Sequence, residues 1–210
     1  MRIALIHALR HSPPPIEAAF AEIWPEARLM NLLDDSLAAD LAREGRLTEA
    51  MTQRFLTLAR YAAGTGARGI LFSCSAFGPC IEACARDLAP MPVLKPNEAA
   101  IEEVAGLGRR IGLLATFPGT LTSMPPEFPP GVTVVPCLAE GAMAALDAGD
   151  PERHDRLVEQ AAPALRECDA ILLGQFSLAR AAPMVARATG RPVVTTPGSA
   201  VRKLRRLLQG

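Results

Sequence analysis

Short apolar runs alternate with longer stretches rich in alanine and leucine along most of the chain. Because the runs lack a strict alternation of apolar and polar residues, they predict strands buried on both faces, as in a parallel sheet covered by helices. Predicted strands lie at residues 3–6, 70–72, 93–94, 111–114, 132–135, 171–173 and 193–194. Predicted helices lie at residues 16–24, 36–43, 47–63, 79–88, 97–105, 151–165, 179–189 and 199–208. This alternation of strands and helices predicts the α/β class.

One segment of the first half recurs in the second half. In both copies an apolar run ends in small polar residues before a helical stretch, at residues 69–78 and 170–179. Both copies then continue to a Pro-Val strand and a further helix, at residues 92–100 and 192–200. The repeat predicts an α/β protein of two pseudo-symmetric lobes, each a parallel β-sheet flanked by helices, with an active-site cleft between them.

The repeat also predicts where the lobes begin and end. We place lobe 1 at residues 1–106 and lobe 2 at residues 107–198, with the junction in a glycine-containing segment. The helix at about residues 199–210 repeats a helix that leads from lobe 1 into lobe 2. We therefore expect this last helix to pack back on lobe 1.

Composition limits the classes of partner that the chain is expected to bind. Its 210 residues include 22 Lys and Arg against 22 Asp and Glu, so no broad basic field is available for nucleic acid. No apolar run reaches the ~18 residues of a membrane span, and the N-terminal segment predicts a short strand rather than a signal peptide. We therefore expect a cytoplasmic protein with no nucleic-acid or membrane partner and with reduced cysteines. No cysteine or histidine spacing predicts a metal site. The chain could form a homo-oligomer.

Cys74 is the candidate catalytic residue. Ligands of open parallel sheets bind beyond the carboxyl ends of the strands, and Cys74 follows a predicted strand and precedes a helix. Backbone N–H groups and the helix dipole at such a position lower the thiol pKa. A thiolate can take a proton from carbon, and a thiol can return one. The alternative interpretation is a buried structural cysteine.

Polar side chains in the second half are candidates for binding a carboxylate. Thr116 and Thr120 flank a glycine at a strand-to-helix turn, where hydroxyls and backbone N–H groups can hold an anion. Thr120 could instead cap a helix. Gln175 takes the place of Cys74 in the second copy; its amide donates and accepts hydrogen bonds but cannot act as a base. Ser177 could add another hydroxyl.

Four further residues follow predicted strands of the first half. Asn97 and Glu98 could cap a helix and complement its dipole, or could face the ligand, with Glu98 as an acid–base group. His7 titrates near neutrality and could assist proton transfer, although a lone loop histidine is often only hydrogen-bonded. Ser75 lies beside Cys74 and could donate a hydrogen bond to a substrate.

Three motifs together resemble the aspartate/glutamate racemase superfamily, which includes hydantoin racemases, maleate isomerases and arylmalonate decarboxylases. The motifs are Phe72-Ser73-Cys74-Ser75, the turn Ile111-Gly112-Leu113-Leu114-Ala115-Thr116-x-x-Gly119-Thr120, and Leu173-Gly174. The resemblance implies a cofactor-independent enzyme. Racemases of this group use two cysteines, one per lobe; the first corresponds to Cys74, and the second position holds Gln175. The decarboxylases use a single cysteine to protonate a carbanion, but theirs lies in the second lobe.

The resemblance implies an isomerase that transfers a proton at the carbon next to a carboxylate, with Cys74 as proton carrier and a small-molecule carboxylate, such as an amino acid, as substrate. Inversion would then need a second group, such as His7, Glu98 or a water, or a one-base path. A decarboxylase (a lyase) and a catalytically inactive carboxylate-binding protein are the alternatives. Substrate-binding donors would come from Ser75, Asn97, Thr116, Thr120, Gln175 and Ser177. We expect no cofactor and no metal.

Overall fold

Contacts within the chain divide it into two compact units. The computed structural model describes residues 1–209. Unit 1 comprises Met1–Asn97 and the helical residues from Ala200 onward, and unit 2 comprises Glu98–Ser199. Each unit contains one parallel four-stranded sheet with helices around it, which confirms the predicted α/β class.

Unit 1 is built on a sheet with the strand order β2-β1-β3-β4. Its strands are β1 (Arg2–His7), β2 (Arg28–Leu33), β3 (Gly69–Phe72) and β4 (Val93–Leu94). Its helices are α1 (Pro13–Ile23), α2 (Leu37–Glu44), α3 (Glu49–Gly64) and α4 (Gly78–Asp87). Prolines fill the first turn of α1, where their missing N–H groups cost no intrahelical bond.

Unit 2 repeats this sheet with the strand order β6-β5-β7-β8. Its strands are β5 (Arg110–Ala115), β6 (Thr133–Leu138), β7 (Ala170–Leu173) and β8 (Val193–Thr195). Its helices are α5 (Glu98–Ala105), α6 (Pro118–Ser123), α7 (Ala142–Asp147), α8 (Pro151–Ala161) and α9 (Ala182–Thr189). Helix α10 (Thr196–Gln209) begins in unit 2 and continues into unit 1.

The boundary between the units lies before α5, between Asn97 and Glu98. The sequence had predicted it after this helix, between residues 106 and 107. The apolar side of α5, including Ile101 and Val104, packs in one cluster with Leu113 and Leu172 of the second sheet. Burial of these side chains therefore assigns α5 to unit 2. The residues of α10 from Ala200 onward pack on the first sheet, as predicted for the last helix. A Cβ placed on Gly69 of β3 would lie 3.0 Å from Leu204 Cδ1 of this helix.

Three of the strands and α-helices have no counterpart among the predicted elements: β2, α6 and α7. Strand β2 lies at a sheet edge and is nowhere fully buried, so it lacks the continuous apolar run that marks the central strands. Helices α6 and α7 have six residues each, too few for a helical hydrophobic period to stand out. The predicted helix at 151–165 ends as α8 at Ala161 and continues as a 3₁₀ turn, Ala162–Leu165.

Side chains of the first sheet point to two opposite faces. These two faces determine where the candidate residues His7 and Cys74 lie. Ile6 and Phe72 belong to a core cluster with Phe55 of α3, and the rings of Phe55 and Phe72 stack at 5.2 Å between centroids. Successive side chains of a strand point to opposite faces, so His7 lies on the face opposite to Ile6.

Candidate active site

Cys74 lies just beyond the carboxyl end of β3, in unit 1. Its backbone is extended (φ −124°, ψ 116°), and a 3₁₀ turn at Ser75–Phe77 follows before α4 begins. The side chain is partly exposed and packs against the same core cluster as Phe72. The thiol therefore lies on the sheet face that α3 and α4 cover.

The environment of Cys74 raises the pKa of its thiol above the ordinary value. Burial against the core is the larger cause, because it penalises the charged thiolate. A hydrogen bond from the backbone N–H of Ala76 lowers the thiol pKa in part. The sequence-based expectation of a lowered pKa considered the helix start but not this burial. The neutral thiol, a proton donor, is consequently the dominant form at neutral pH.

His7 lies at the end of β1 and is almost fully buried, with 1% of its surface exposed. Its Nδ1 lies 2.8 Å from Ser73 Oγ, and its Nε2 lies 2.9 Å from Asn31 Oδ1. Asn31 Nδ2 in turn donates to Glu17 Oε1 at 2.6 Å. Four polar side chains thus form one hydrogen-bonded chain from α1 across β2 and β1 to the end of β3.

The direction of this chain fixes the tautomer of His7. Because the amide nitrogen of Asn31 donates to Glu17, its oxygen faces His7 and must accept a hydrogen there. The proton of the neutral ring is therefore on Nε2, and Nδ1 accepts the hydroxyl hydrogen of Ser73. Burial lowers the pKa of His7, and the bond to Asn31 and the charge of Glu17 oppose this shift. The ring is accordingly neutral at neutral pH.

These contacts argue against the predicted acid–base role of His7. Both ring nitrogens are hydrogen-bonded to protein side chains, and the ring lies on the sheet face opposite to Cys74. Asn31 and Glu17 were not among the candidates predicted from the sequence. Asn31 lies in β2, which holds the same place in the first sheet as β6 holds in the second. Because a strand was predicted for β6, the repeat could have indicated a strand at β2 and, with it, Asn31.

In unit 2, Thr116 and Gln175 meet at the carboxyl ends of β5 and β7. The backbone N–H of Thr116 donates to Gln175 Oε1 at 2.7 Å, and the Thr116 hydroxyl donates to the same oxygen at 3.0 Å. A backbone N–H can only donate, so this contact settles which end of the amide is oxygen. The two N–H bonds of Gln175 Nε2 are left without a hydrogen-bond acceptor within residues 1–209.

Thr120 lies close to the same strand ends. It is nearly buried, and its Cγ2 would lie 3.1 Å from a Cβ on Gly174, the residue before Gln175. Its backbone N–H donates to Phe117 O at 3.1 Å, which closes the turn at the start of α6. The structure therefore brings together three of the predicted carboxylate-binding residues in unit 2: Thr116, Thr120 and Gln175.

The remaining candidates, Ser75, Ser177, Asn97 and Glu98, lie after the strand ends, as the sequence predicted. Ser75 is half-buried in the turn after Cys74, and Ser177 is half-buried in the 3₁₀ turn Phe176–Ala181 that follows Gln175. Asn97 is buried, and Glu98 is half-buried in the first turn of α5. An acidic residue there complements the helix dipole, and the alternative role of Glu98 as an acid–base group stays a prediction.

The described part of the chain lacks two further features. Across residues 1–209, no cluster of three or more His, Cys, Asp or Glu side chains is placed to hold a metal ion. None of the helices described is both long enough and apolar enough to cross a membrane.

Comparison with known proteins identifies relatives over nearly the whole chain. The model of the family described as Asp/Glu/Hydantoin racemase matches residues 14–204. No curated protein sequence is similar enough to count as a relative.

Solved structures share the fold at low sequence identity. Allantoin racemase from Klebsiella pneumoniae has a TM-score of 0.75 and 22% identity, over 100% of this chain and 88% of that one. A glycine-to-cysteine variant of arylmalonate decarboxylase has a TM-score of 0.72 and 21% identity, over 100% and 94%. An aspartate racemase homologue from Pyrococcus horikoshii OT3 has a TM-score of 0.72 and 17% identity, over 100% and 99%. With its duplicated parallel sheets and its family match, this chain belongs to the Asp/Glu/Hydantoin racemase family.

Proposed function

We propose that this protein is a cofactor-independent enzyme of the isomerase type, which moves a proton at the carbon next to a carboxylate through Cys74. Membership of the racemase family supports the reaction class. The observation that carries the assignment of the proton carrier is a partly exposed thiol at the carboxyl end of β3, where ligands of parallel sheets bind. Burial raises the pKa of this thiol and so favours its protonated form.

We assign the substrate carboxylate to the strand ends of unit 2. Thr116 holds the oxygen of Gln175, so the amide presents its two N–H donors in a fixed orientation. Donors fixed before the reaction stabilise developing negative charge without paying for reorganisation, and the loss of one such donor costs about 3 kcal/mol. Gln175 acts here as a hydrogen-bond donor and not as a second base.

The isomerase reaction begins with proton removal from carbon. The C–H bond breaks, its electron pair moves into the carboxylate to give an enediolate dianion, and the Cys74 thiolate takes the proton. Return of a proton to carbon from the opposite side inverts the centre, and return from the same side restores it. Because both nitrogens of His7 are hydrogen-bonded to protein side chains, Glu98 or a water remains the candidate for the second proton-transfer group.

Decarboxylation is the second candidate, and the raised pKa of Cys74 favours it specifically. A carbon–carbon bond breaks, carbon dioxide leaves, and the electron pair forms the enediolate of the remaining carboxylate. The Cys74 thiol then protonates carbon and regains its own proton from solvent. This reaction starts from the thiol, whereas isomerisation first requires the less populated thiolate.

Incubation in heavy water with chiral amino acids and with substituted malonates tests the proposal. Deuterium at the α-carbon with loss of optical activity supports the isomerase, and release of carbon dioxide supports the decarboxylase. Cys74→Ala should lower either rate by about 10²–10⁴-fold, the usual contribution of a general acid or base. Cys137→Ala is the matched control, because Cys137 is also partly buried and has a raised pKa.

Three results would contradict the proposal. Equal activity of Cys74→Ala and the parent protein would remove Cys74 from the reaction. Loss of activity in both cysteine variants would point to a general structural effect. Tight carboxylate binding without exchange or carbon dioxide release would identify a binding protein instead of an enzyme.

A further inference from the structure

We propose that Ser73 is a second reactive group of this protein, a nucleophile that His7 activates for the hydrolysis of carboxylic esters. Ser73 Oγ lies 2.8 Å from His7 Nδ1, and the other ring nitrogen, Nε2, lies 2.9 Å from Asn31 Oδ1. A hydroxyl bonded to a base, which a third group orients in turn, is the arrangement that activates a nucleophile in proteins. This activity goes beyond proton transfer at carbon and uses a hydroxyl that has no part in the proposed function.

The backbone of the first sheet brings these two side chains together. Ile6 of β1 is paired with Phe72 of β3, and the next residues of the two strands are His7 and Ser73. The backbone N–H of Ser73 donates to the carbonyl oxygen of Ile6 at 3.0 Å, which extends the pairing just past the end of β3. Paired strands, which hold side chains more precisely than loops do, therefore position the serine against the histidine.

The hydrogens of this chain point in the direction that nucleophilic attack requires. Because Nε2 carries the ring proton and donates it to Asn31, the lone pair of Nδ1 faces the Ser73 hydroxyl and can take its proton. The other acceptor near this hydroxyl, the carbonyl oxygen of Ile6, is 3.5 Å away, so the bond to the ring is the shorter one. Papain-like proteases also orient their histidine with an asparagine. Here Glu17 fixes the asparagine amide through a bond of 2.6 Å.

Ser73 and Cys74 are adjacent in the chain but differ in their surroundings. Cys74 packs against the core cluster that includes Phe72, whereas Ser73 bonds to His7 on the opposite face of the first sheet. His7 is buried, while Ser73 keeps part of its surface exposed at the carboxyl end of β3, where ligands of parallel sheets bind. The base is thus shielded from water, and the nucleophile is open to a ligand.

The reaction is an acyl transfer to serine followed by hydrolysis. Ser73 Oγ bonds to the carbonyl carbon of the ester, and its proton moves to His7 Nδ1. The bond from this carbon to the alcohol oxygen breaks, and the leaving alcohol takes the proton from Nδ1. Water then attacks the acyl-serine and gives a proton to Nδ1, which returns it to Ser73 Oγ as the acid leaves. Arg10, in the segment after β1, already pairs with Asp35, which favours an uncharged ester over a phosphate ester that would need such a cation.

Hydrolysis of p-nitrophenyl acetate tests the inference in a Cys74→Ala background, which removes the adjacent thiol as a competing nucleophile. Adding Ser73→Ala should lower the rate at least about 100-fold, since the loss of a nucleophile costs this much or more. Ser123→Ala is the matched control, because Ser123 is an exposed serine at the end of α6 in unit 2. A fluorophosphonate reagent should label Ser73, as mass spectrometry would show. Labelling needs no change at Ser73, so it decides the question even if Ser73→Ala does not fold.

A double variant, Asn31→Asp with Glu17→Gln, separates catalysis from a structural role. The exchange keeps both hydrogen bonds, because the new carboxylate accepts from His7 Nε2 and from the new amide at position 17. Its charge stabilises the imidazolium that forms during attack, so the rate should rise at least about 10-fold, whereas a structural bond predicts no change. Equal rates with and without Ser73→Ala, a label on another residue, or an unchanged rate in the double variant would overturn the inference.

Discussion

Gln175→Glu separates the structural contact of Gln175 from its proposed role in binding. The two side chains have nearly the same shape, so one carboxylate oxygen can accept from the Thr116 N–H and hydroxyl as Oε1 does, at 2.7 and 3.0 Å. The substitution replaces the donor Nε2 with a second, negatively charged acceptor. Contact with Thr116 is therefore retained while donation to a substrate is lost.

The expected magnitudes follow from these contacts. Hydrogen bonds to a charged group contribute about 1.5–3 kcal/mol each, against about 0.5–1.5 kcal/mol for neutral pairs. The free energy of unfolding should thus stay within about 1 kcal/mol of the parent value, because the cost of desolvating the new charge opposes the gain. Loss of one bond to a substrate carboxylate predicts roughly 10- to 100-fold weaker binding, and repulsion between the two anions weakens it further.

Calorimetric binding of the simple carboxylate phenylacetate and thermal unfolding measure the two effects in parallel. Gln175→Met is the contrasting variant: it leaves the N–H of Thr116 without its acceptor and should cost about 1–3 kcal/mol of stability as well as binding. Lowering the pH should restore part of the binding to Gln175→Glu, because protonation removes the charge and supplies an O–H donor. Parent-like affinity of Gln175→Glu at neutral pH would refute the role of Nε2.

Three further predictions concern titrating groups. If Cys74 acts as the proton donor, decarboxylation should fall only at alkaline pH, as the pH passes the raised pKa of the thiol; a pH–rate profile checks this. Nitrogen NMR should show His7 as the Nε2–H tautomer with a pKa below its usual value, so that folding stability falls as the pH drops below about 6.5. Hydrogen bonds from the backbone N–H groups of Arg110 and Arg109 lower the pKa of Asp169. Its contribution to stability is therefore present above the unfolded-state pKa of about 3.9 and is lost as the pH falls through the folded-state value. Asp169→Asn should destabilise the protein at pH 7, and chemical denaturation should show the difference vanishing in acid.

The central strands and the duplicated α/β design could be predicted because burial on both faces leaves a direct signature in the sequence. Strand β3 reads as an uninterrupted apolar run, and its repeat β7 reads the same way. Edge strand β2 has no such run, and its absence from the prediction also concealed the partner of His7. The repeat implies a strand in the first half that corresponds to β6, and this strand is β2, which carries Asn31.

Details of the candidate site depended on contacts that no local pattern encodes. The position of Cys74 after a strand was predictable, but the sign of its pKa shift depends on packing against side chains from distant parts of the chain, such as Phe55. Likewise, the sequence identified Gln175 and Thr116 as polar, and only their meeting at neighbouring strand ends shows which atoms of the amide are left to donate.

Helix α10 has a consequence for synthesis of the protein. The helix lies against Gly69 through Leu204, and Arg205 donates to the carbonyl oxygen of Ile23 at 2.7 Å, so the earliest sheet is covered by the latest residues. During translation, the part of this sheet around Gly69 therefore lacks its cover until the residues near Leu204 have been synthesised. Such a delay is the interval in which nascent chains depend most on chaperones, and a stop codon shortly before Leu204 should convert a folded product into an aggregating one.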